Sequence, residues 1–253
     1  MMSRTEKKRK IVHATPIDTS WEKMYLIGGV MALFALMGTL IDISLTMVPG
    51  WEITTVPTTI LGWFTQFQAK PFLGLRNLDL LNAFILFIQI PMFLALYGVH
   101  RKTNQAFAAL TLIVCLLGTF LFISNNAALP MLGFSRQYFL ASTESQKLSI
   151  EGASLALLAK GAHGSMGAFI GFFMSSIGTL MISFVMLQGK IFSRVAAWTG
   201  IMGITSLILY TVGNTFMPNA GEKMLIIAMP GGILMIVWNV MVARKLFQLS
   251  SGK

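Results

Sequence analysis

Few side chains in this 253-residue chain can do chemistry: nine Asp and Glu, three His and one Cys. Most of the acids sit in polar connections, but Asp42, Asp79 and His163 lie within or at the edge of long apolar runs. An ionisable group at membrane depth is costly to hold there, so by default it marks a functional site. Amides stand at the ends of the same or other apolar runs: Asn82, Asn125, Asn126 and Asn214. A carboxylate beside an imidazole can orient a polar ligand or act as an acid/base pair. Asp42 and His163 are the titratable pair the sequence offers for either task.

Several other chemistries are excluded. His13, His100 and His163 are too scattered to converge on one catalytic zinc. No H-E-x-x-H, phosphate-cradling G-x-x-x-x-G-K-[ST] or G-x-S-x-G is present. Neither a ladder of buried acids for proton relay nor an arginine-rich voltage-sensing helix occurs. Cys115 is the sole cysteine, so an internal disulfide is impossible. No residue is assigned as catalytic, and no metal or cofactor is expected.

The elements that must position these groups are long apolar helices. The chain is 55% hydrophobic and 11% charged, with a mean hydropathy of +0.72, whereas a soluble domain needs about 25% charged residues to cover its surface. Its apolar runs reach the roughly 20 residues that cross about 30 Å of hydrocarbon as a helix. Six spans are expected: Met24–Val48, Asp79–Gly98, Ala106–Asn126, Gly161–Leu187, Val195–Phe216 and Met224–Ala243. The fold class is therefore an all-α integral membrane bundle of six transmembrane helices. Residues 1–23 form a basic tail, 24–249 the membrane domain and 250–253 a short C-terminal tail. Met24–Val48 is too long for a signal-peptide core and lacks a small-x-small cleavage site, so it is retained as a span.

Two connections are long. Within Pro49–Leu78, Ile60, Leu61, Trp63, Phe64 and Phe67 recur at helical spacing among polar residues, the pattern of an amphipathic segment lying at the headgroups or, as the alternative, of a lid over the bundle. Within Ala127–Ala162, Thr143 and Gln146 have capping-box spacing and open a second amphipathic segment. Pro91 falls inside the second span, where it frees a carbonyl and kinks the helix. The fourth span carries His163, Gly167, Gly171, Ser175, Thr179 and Ser183 at every fourth position. Lipid gives no reason to select small residues, whereas a close-packed neighbouring helix does. That neighbour can belong to the same chain or to a second copy, so an oligomer stays open.

Orientation follows from charge. With both termini in the cytoplasm, 13 of the 19 Lys and Arg lie inside, although the other side holds the two longest connections. The net charge of +10 sits in short clusters beside apolar runs, above all Arg4, Lys7, Lys8, Arg9 and Lys10. That distribution points to anionic lipid headgroups rather than nucleic acid. On this topology Asp42 lies about 18 residues, or roughly 27 Å, into its helix and so near the outer boundary. Asp79, Asn82, Asn125, Asn126, His163 and Asn214 reach the same level, beneath the two long connections.

Each of these residues also has a structural role open to it. Asp79 suits the first turn of a helix. Asn125, Asn126 and Asn214 suit left-handed C-caps, and His163 suits the headgroup layer. Asn82, Asp79 and Gln89 make a polar stripe facing the bundle interior. Asp42 fits none of these roles, because it sits toward the negative end of its helix dipole. It needs a partner, with His163 and Arg136 the candidates.

Four stretches are familiar together. These are Ser124–Tyr138 (SNNAALPMLGFSRQY), the small-rich fourth span, MLQGKIFSRVAAWTGIMG and the final IVWNVMVARKLFQL. From about Met24 to Leu249 the chain resembles the multi-span prokaryotic membrane proteins grouped as domain of unknown function 4386. The resemblance implies a compact helical domain in a bacterial or archaeal cell membrane and carries no activity onto any residue. The basic segment before Trp21 is longer than that family usually shows. The expected function is a non-enzymatic accessory or lipid-interacting membrane protein whose outer polar groups are mainly structural. Its alternatives are binding or transport of a small ligand through an outward-facing polar pocket, and a membrane-embedded enzyme using an Asp/His pair.

The topology is testable by labelling. In a Cys115→Ala background, Thr103→Cys is expected to react with an impermeant maleimide only from the cytoplasmic side of sealed vesicles, and Ser142→Cys only from the opposite side.

Overall fold

The computed structural model describes residues 19–50, 56–217 and 221–252. The basic cluster Arg4–Lys10, expected to meet lipid headgroups, lies outside them. Among the described residues the chain forms eleven helices and no strand. They are α1 (Thr19–Leu45), α2 (Ile60–Ala69), α3 (Pro71–Asn77), α4 (Leu80–Ile88), α5 (Ile90–His100), α6 (Gln105–Asn125), α7 (Ala128–Leu140), α8 (Glu144–Gly161), α9 (Met166–Gln188), α10 (Arg194–Phe216) and α11 (Gly221–Ser250). Six helical stretches are long and apolar enough to cross a membrane, built around α1, α4–α5, α6, α9, α10 and α11. This is the expected all-α six-helix bundle of a multi-pass membrane protein.

Local sequence explains most helix boundaries. Asn104, Ser165 and Ser193 accept from backbone N–H groups of the first turns of α6, α9 and α10, satisfying donors that would otherwise be orphaned. Thr143 and Gln146 form the full reciprocal capping box that opens α8. The second span divides at Gln89, and Pro91 takes an opening position of α5, where its missing N–H is harmless. Two expected boundaries move. Helix α1 takes in Trp21, which was expected in the tail; its indole lies against Gly98 and under the Arg101 guanidinium at 4.6 Å. Helix α11 runs through Arg244 and Lys245 to Ser250, because nothing in that stretch stops a helix.

The spans close into a ring in chain order. Helix α1 packs on α4 and α5, α5 on α6, α6 on α9, α9 on α10, α10 on α11, and α11 returns to α1. At the end holding Trp21 and His100 the ring is filled. Ala32, Leu96, Cys115, Met186, Ala197 and Trp238, one from each span, belong to a single apolar core there. Large apolar side chains such as Phe34, Phe107, Phe184 and Ile233 point outward and are exposed, which suits lipid.

The small residues of α9 show where the ring is tightest. A Cβ added at Gly118 of α6 would strike the backbone of Ser175. One at Gly171 would meet the Phe122 backbone 2.6 Å away, and one at Gly178 would strike the Cys115 sulfur. The partner of the Gly167–Gly171 motif is thus α6 of the same chain. The expected single small face is corrected by geometry: a four-residue step overshoots the helical turn by about 40°. The row therefore winds around α9, and its far member Ser183 lies against Gly200 of α10.

At the other end α2, α3, α7 and α8 form a cap. Of the two readings of the first connection, a segment at the headgroups and a lid over the bundle, the lid is the one that fits: the aromatic face of α2 is buried against protein. Trp63, Phe64 and Phe67 pack with Ala127, Ala128 and Met131, and the Ser135 hydroxyl donates to the Phe64 carbonyl at 2.9 Å.

Gly118→Val and Gly171→Val are expected to destabilise the bundle by about 1–3 kcal/mol or more, since no flexible side chain can yield. Gly152→Ala, where a Cβ meets nothing within 4 Å, is expected to be neutral or to stabilise by up to about 1 kcal/mol. Thermal unfolding in detergent measures all three.

Candidate functional site: a polar cup beneath the cap

The ring is not filled at its cap end. A cavity of about 390 Å³ remains there, within the range of small-ligand pockets. Asp42 and Thr46 reach it from the end of α1, Arg76 and Asn77 from α3, and Asp79 and Asn82 from the head of α4. His163 and Gly164 come from the turn before α9. Phe169, Phe172 and Ser176 line it from α9, and Leu207, Tyr210, Thr211 and Asn214 from α10. One wall is therefore charged and amide-bearing, the other largely aromatic and aliphatic.

Two ion pairs organise the polar wall. Arg76 Nε donates to Asp42 Oδ1 at 3.1 Å, and its terminal nitrogen reaches the Asp42 carbonyl at 3.5 Å. The guanidinium thus also serves a carbonyl at the end of α1, which has no basic residue in its own last turn. Asp79 accepts from Asn82 Nδ2 at 3.0 Å through one oxygen and faces His163 Nδ1 at 2.9 Å through the other. His163 Nε2 lies 3.4 Å from the Tyr210 hydroxyl. With the Nδ1 hydrogen given to Asp79, Nε2 of a neutral ring accepts from Tyr210; in the imidazolium it donates instead.

The backbone is bent to make this arrangement. Asp79 has φ +60°, alone among the described non-glycine residues in lying at positive φ. It is the N-cap of α4 yet makes no side-chain capping bond. Aspartate tolerates the left-handed region better than most residues, but the conformation still costs energy and tends to persist where function holds it. The reversal between α3 and α4 turns the carboxylate away from its own helix end and toward His163. Gly164, at φ +79°, makes the matching bend on the other side, and a Cβ there would sit 3.4 Å from Asn214 Nδ2.

Five of the seven sequence-derived candidates meet in this cup: Asp42, Asp79, Asn82, His163 and Asn214. Asn125 and Asn126 do not line it. Asn125 donates to the Leu121 carbonyl at 2.9 Å. Asn126 caps α6 with extended rather than left-handed backbone, because its side chain bridges Leu78 O at 2.8 Å and Ala128 N at 3.1 Å. Asn214 lies inside the last turn of α10 and is not its C-cap, which is Met217. Asp79 is a strained N-cap and not a first-turn acid. The partner of Asp42 is Arg76, neither His163 nor Arg136; Arg136 lines a separate groove with Phe139 and Leu140. The expected Asp42–His163 pair is thus replaced by Asp42–Arg76 and Asp79–His163.

Sequence reasoning missed Arg76 and Tyr210. Tyr210 was legible, since Leu207, Tyr210, Thr211 and Asn214 follow the i, i+3, i+4, i+7 rule of one helix face. Arg76 carried no such signal, because its position depends on the α3–α4 reversal. Among the described residues, no three His, Cys, Asp or Glu side chains are placed to hold a metal ion. Below the cup several polar side chains turn back on their own helices, while Thr111 Oγ1 and Trp238 Nε1 are buried without a hydrogen-bond partner. Thr179 bonds Ser175 O at 3.1 Å, Ser183 bonds Thr179 O at 2.9 Å and Asn239 bonds Met235 O at 2.9 Å. No family model matches the chain, and neither does any curated protein or solved structure.

Arg76→Gln is expected to destabilise the protein by about 1–3 kcal/mol by stranding a half-buried carboxylate, with Asp42→Asn/Arg76→Gln recovering part of the loss. A double-mutant cycle by chemical unfolding measures the coupling; additive losses would mean that the pair contributes nothing.

Proposed function

We propose that this is a non-enzymatic multi-pass membrane protein that receives a small polar ligand in the cup and holds it there. One observation carries the proposal: Asp42, Arg76, Asp79, Asn82, His163 and Asn214 converge on open volume above a closed apolar core. A polar network that served only to fasten helices would be packed shut, since interiors approach crystal density. Here charge lines space. The apolar core argues for holding over conducting, because all six spans contribute closely packed apolar side chains to it below the cup.

The charge distribution along the sequence puts the cap outside and both termini in the cytoplasm, so the ligand arrives from outside the cell membrane. The resemblance to the domain of unknown function 4386 proteins fits a prokaryotic cell membrane. The basic N-terminal segment would add contacts with anionic headgroups.

A second reading follows from Asp79, His163 and Tyr210. A carboxylate orienting an imidazole whose other nitrogen faces a hydroxyl is the layout of a general base and its partner. On that reading the acid/base pair of a membrane-embedded enzyme is Asp79 and His163.

The cup can be tested without knowing its ligand. In a Cys115→Ala background, Ser176→Cys on the cup wall is expected to react with a small methanethiosulfonate reagent from the cap side only. Ile182→Cys, in the apolar core, is expected to stay inert. A Ser176→Cys protein that resists modification would overturn the cup, and one modified from both sides would replace holding with a through-path.

A further inference from the structure

We infer that the cup takes a small organic ammonium ion in exchange for the proton on His163. The inference rests on the ligand-binding reading above and adds the ligand's charge and what it displaces.

It starts from charge balance. Two carboxylates and one guanidinium line the cup, and Arg76 is committed to Asp42 at 3.1 Å. Asp79, with its side chain only 10% exposed, has Asn82 and His163 as its polar partners. With His163 protonated the lining is neutral. With His163 neutral it carries one uncompensated negative charge, in surroundings where charge interacts more strongly than in bulk water. One positive charge completes the cup, and the proton is one way of supplying it.

The groups around His163 leave no other local source. Asp42 comes from α1, Arg76 from α3, Asp79 and Asn82 from the head of α4, and Tyr210 from α10. On its own side of the fold the nearest charged residue in sequence is Lys160, exposed at the end of α8. The His163 side chain is 45% exposed, so its proton can leave to water. The turn at Asp79 agrees with this account: a carboxylate held in a left-handed conformation without capping its helix is presented to the cup.

The remaining lining selects the kind of cation. An anion would add to the negative charge. Among the described residues no third His, Cys, Asp or Glu joins a pair here to make a metal site, and the aromatic lining suits an organic ammonium. Phe169, Phe172 and Tyr210 supply aromatic lining, the kind of surface beside which such ions rest. Because proton and ligand compete for one charge vacancy, binding each weakens the other by the same factor. The ligand's apparent affinity then falls toward tenfold per pH unit, about 1.4 kcal/mol, on the acid side of the imidazole titration.

The test uses the Cys115→Ala/Ser176→Cys protein in nanodiscs, with choline and its uncharged isostere 3,3-dimethylbutan-1-ol as probes. Protection is read as the ratio of modification rates with and without probe at each pH. Choline is expected to slow modification at least tenfold more effectively than the isostere, and progressively less as pH falls. Asp79→Asn is expected to abolish protection while modification itself persists; His163→Gln is expected to keep protection and lose its pH dependence. The latter variant carries the test should Asp79→Asn fail to fold. Equal protection by both probes, pH-independent protection, or none in a protein that still reacts would overturn the ammonium inference and leave the cup standing. An unreactive Ser176→Cys would remove both.

Discussion

Where α9 crosses α6, backbone meets backbone. Gly118 lies against the Ser175 main chain, Gly171 against Phe122 and Gly178 against Cys115, with no room for a methyl group at any of them. In a bilayer the solvent is as apolar as the side chains, so helices associate through close dispersion contact and not through escape from water. The contact reaches up to the cup. Gly161 lies against the Asn125 carbonyl and Gly167 against the Asn125 side chain, so the turn carrying His163 is seated on the end of α6. Asn126 then ties that same end to the Leu78 carbonyl, one residue before Asp79. The turn carrying His163 and the residue before Asp79 are thus both fastened to the end of α6, where the two side chains meet at 2.9 Å.

The six-helix ring divides its interior by depth. One end is closed by side chains from all six spans; the other keeps its charge and its open volume. Burying an ionised group away from water costs far more than hydrogen bonds return unless it is paired, and here both the buried Asp79 and the half-buried Asp42 have partners. The short cap helices bring Arg76 into place and bury their aromatic residues against one another, leaving the spans to meet lipid.

Much of this was legible because the membrane simplifies the code. Apolar length gave the spans, and Thr143 with Gln146 marked the start of α8. Rise per residue placed Asp42, Asp79, Asn82, His163 and Asn214 at one level, where they meet. Pairing was not legible. Depth says nothing about azimuth, so Asp42 was matched to His163 when a short helix opened by Pro71 delivers Arg76 instead. Asn125 and Asn126 share that depth yet face elsewhere, one to its own helix and one to a neighbouring loop. The every-fourth small residues pointed correctly to close packing, but a period of four drifts around a helix of 3.6, so two partners were read as one face.

At Gln89 the second span passes from α4 to α5 without leaving helical backbone: Gln89 N–H donates to Ile85 O and Phe93 N–H to Gln89 O, each at 3.1 Å. Helix α5 supplies Met92, Phe93 and Leu96 to the closed core and is held by it, whereas α4 carries Asp79 and Asn82 along the cup wall. Pro91 has no N–H to give the Phe87 carbonyl, so cup wall and core are joined through one helical hydrogen bond fewer than an unbroken helix would supply.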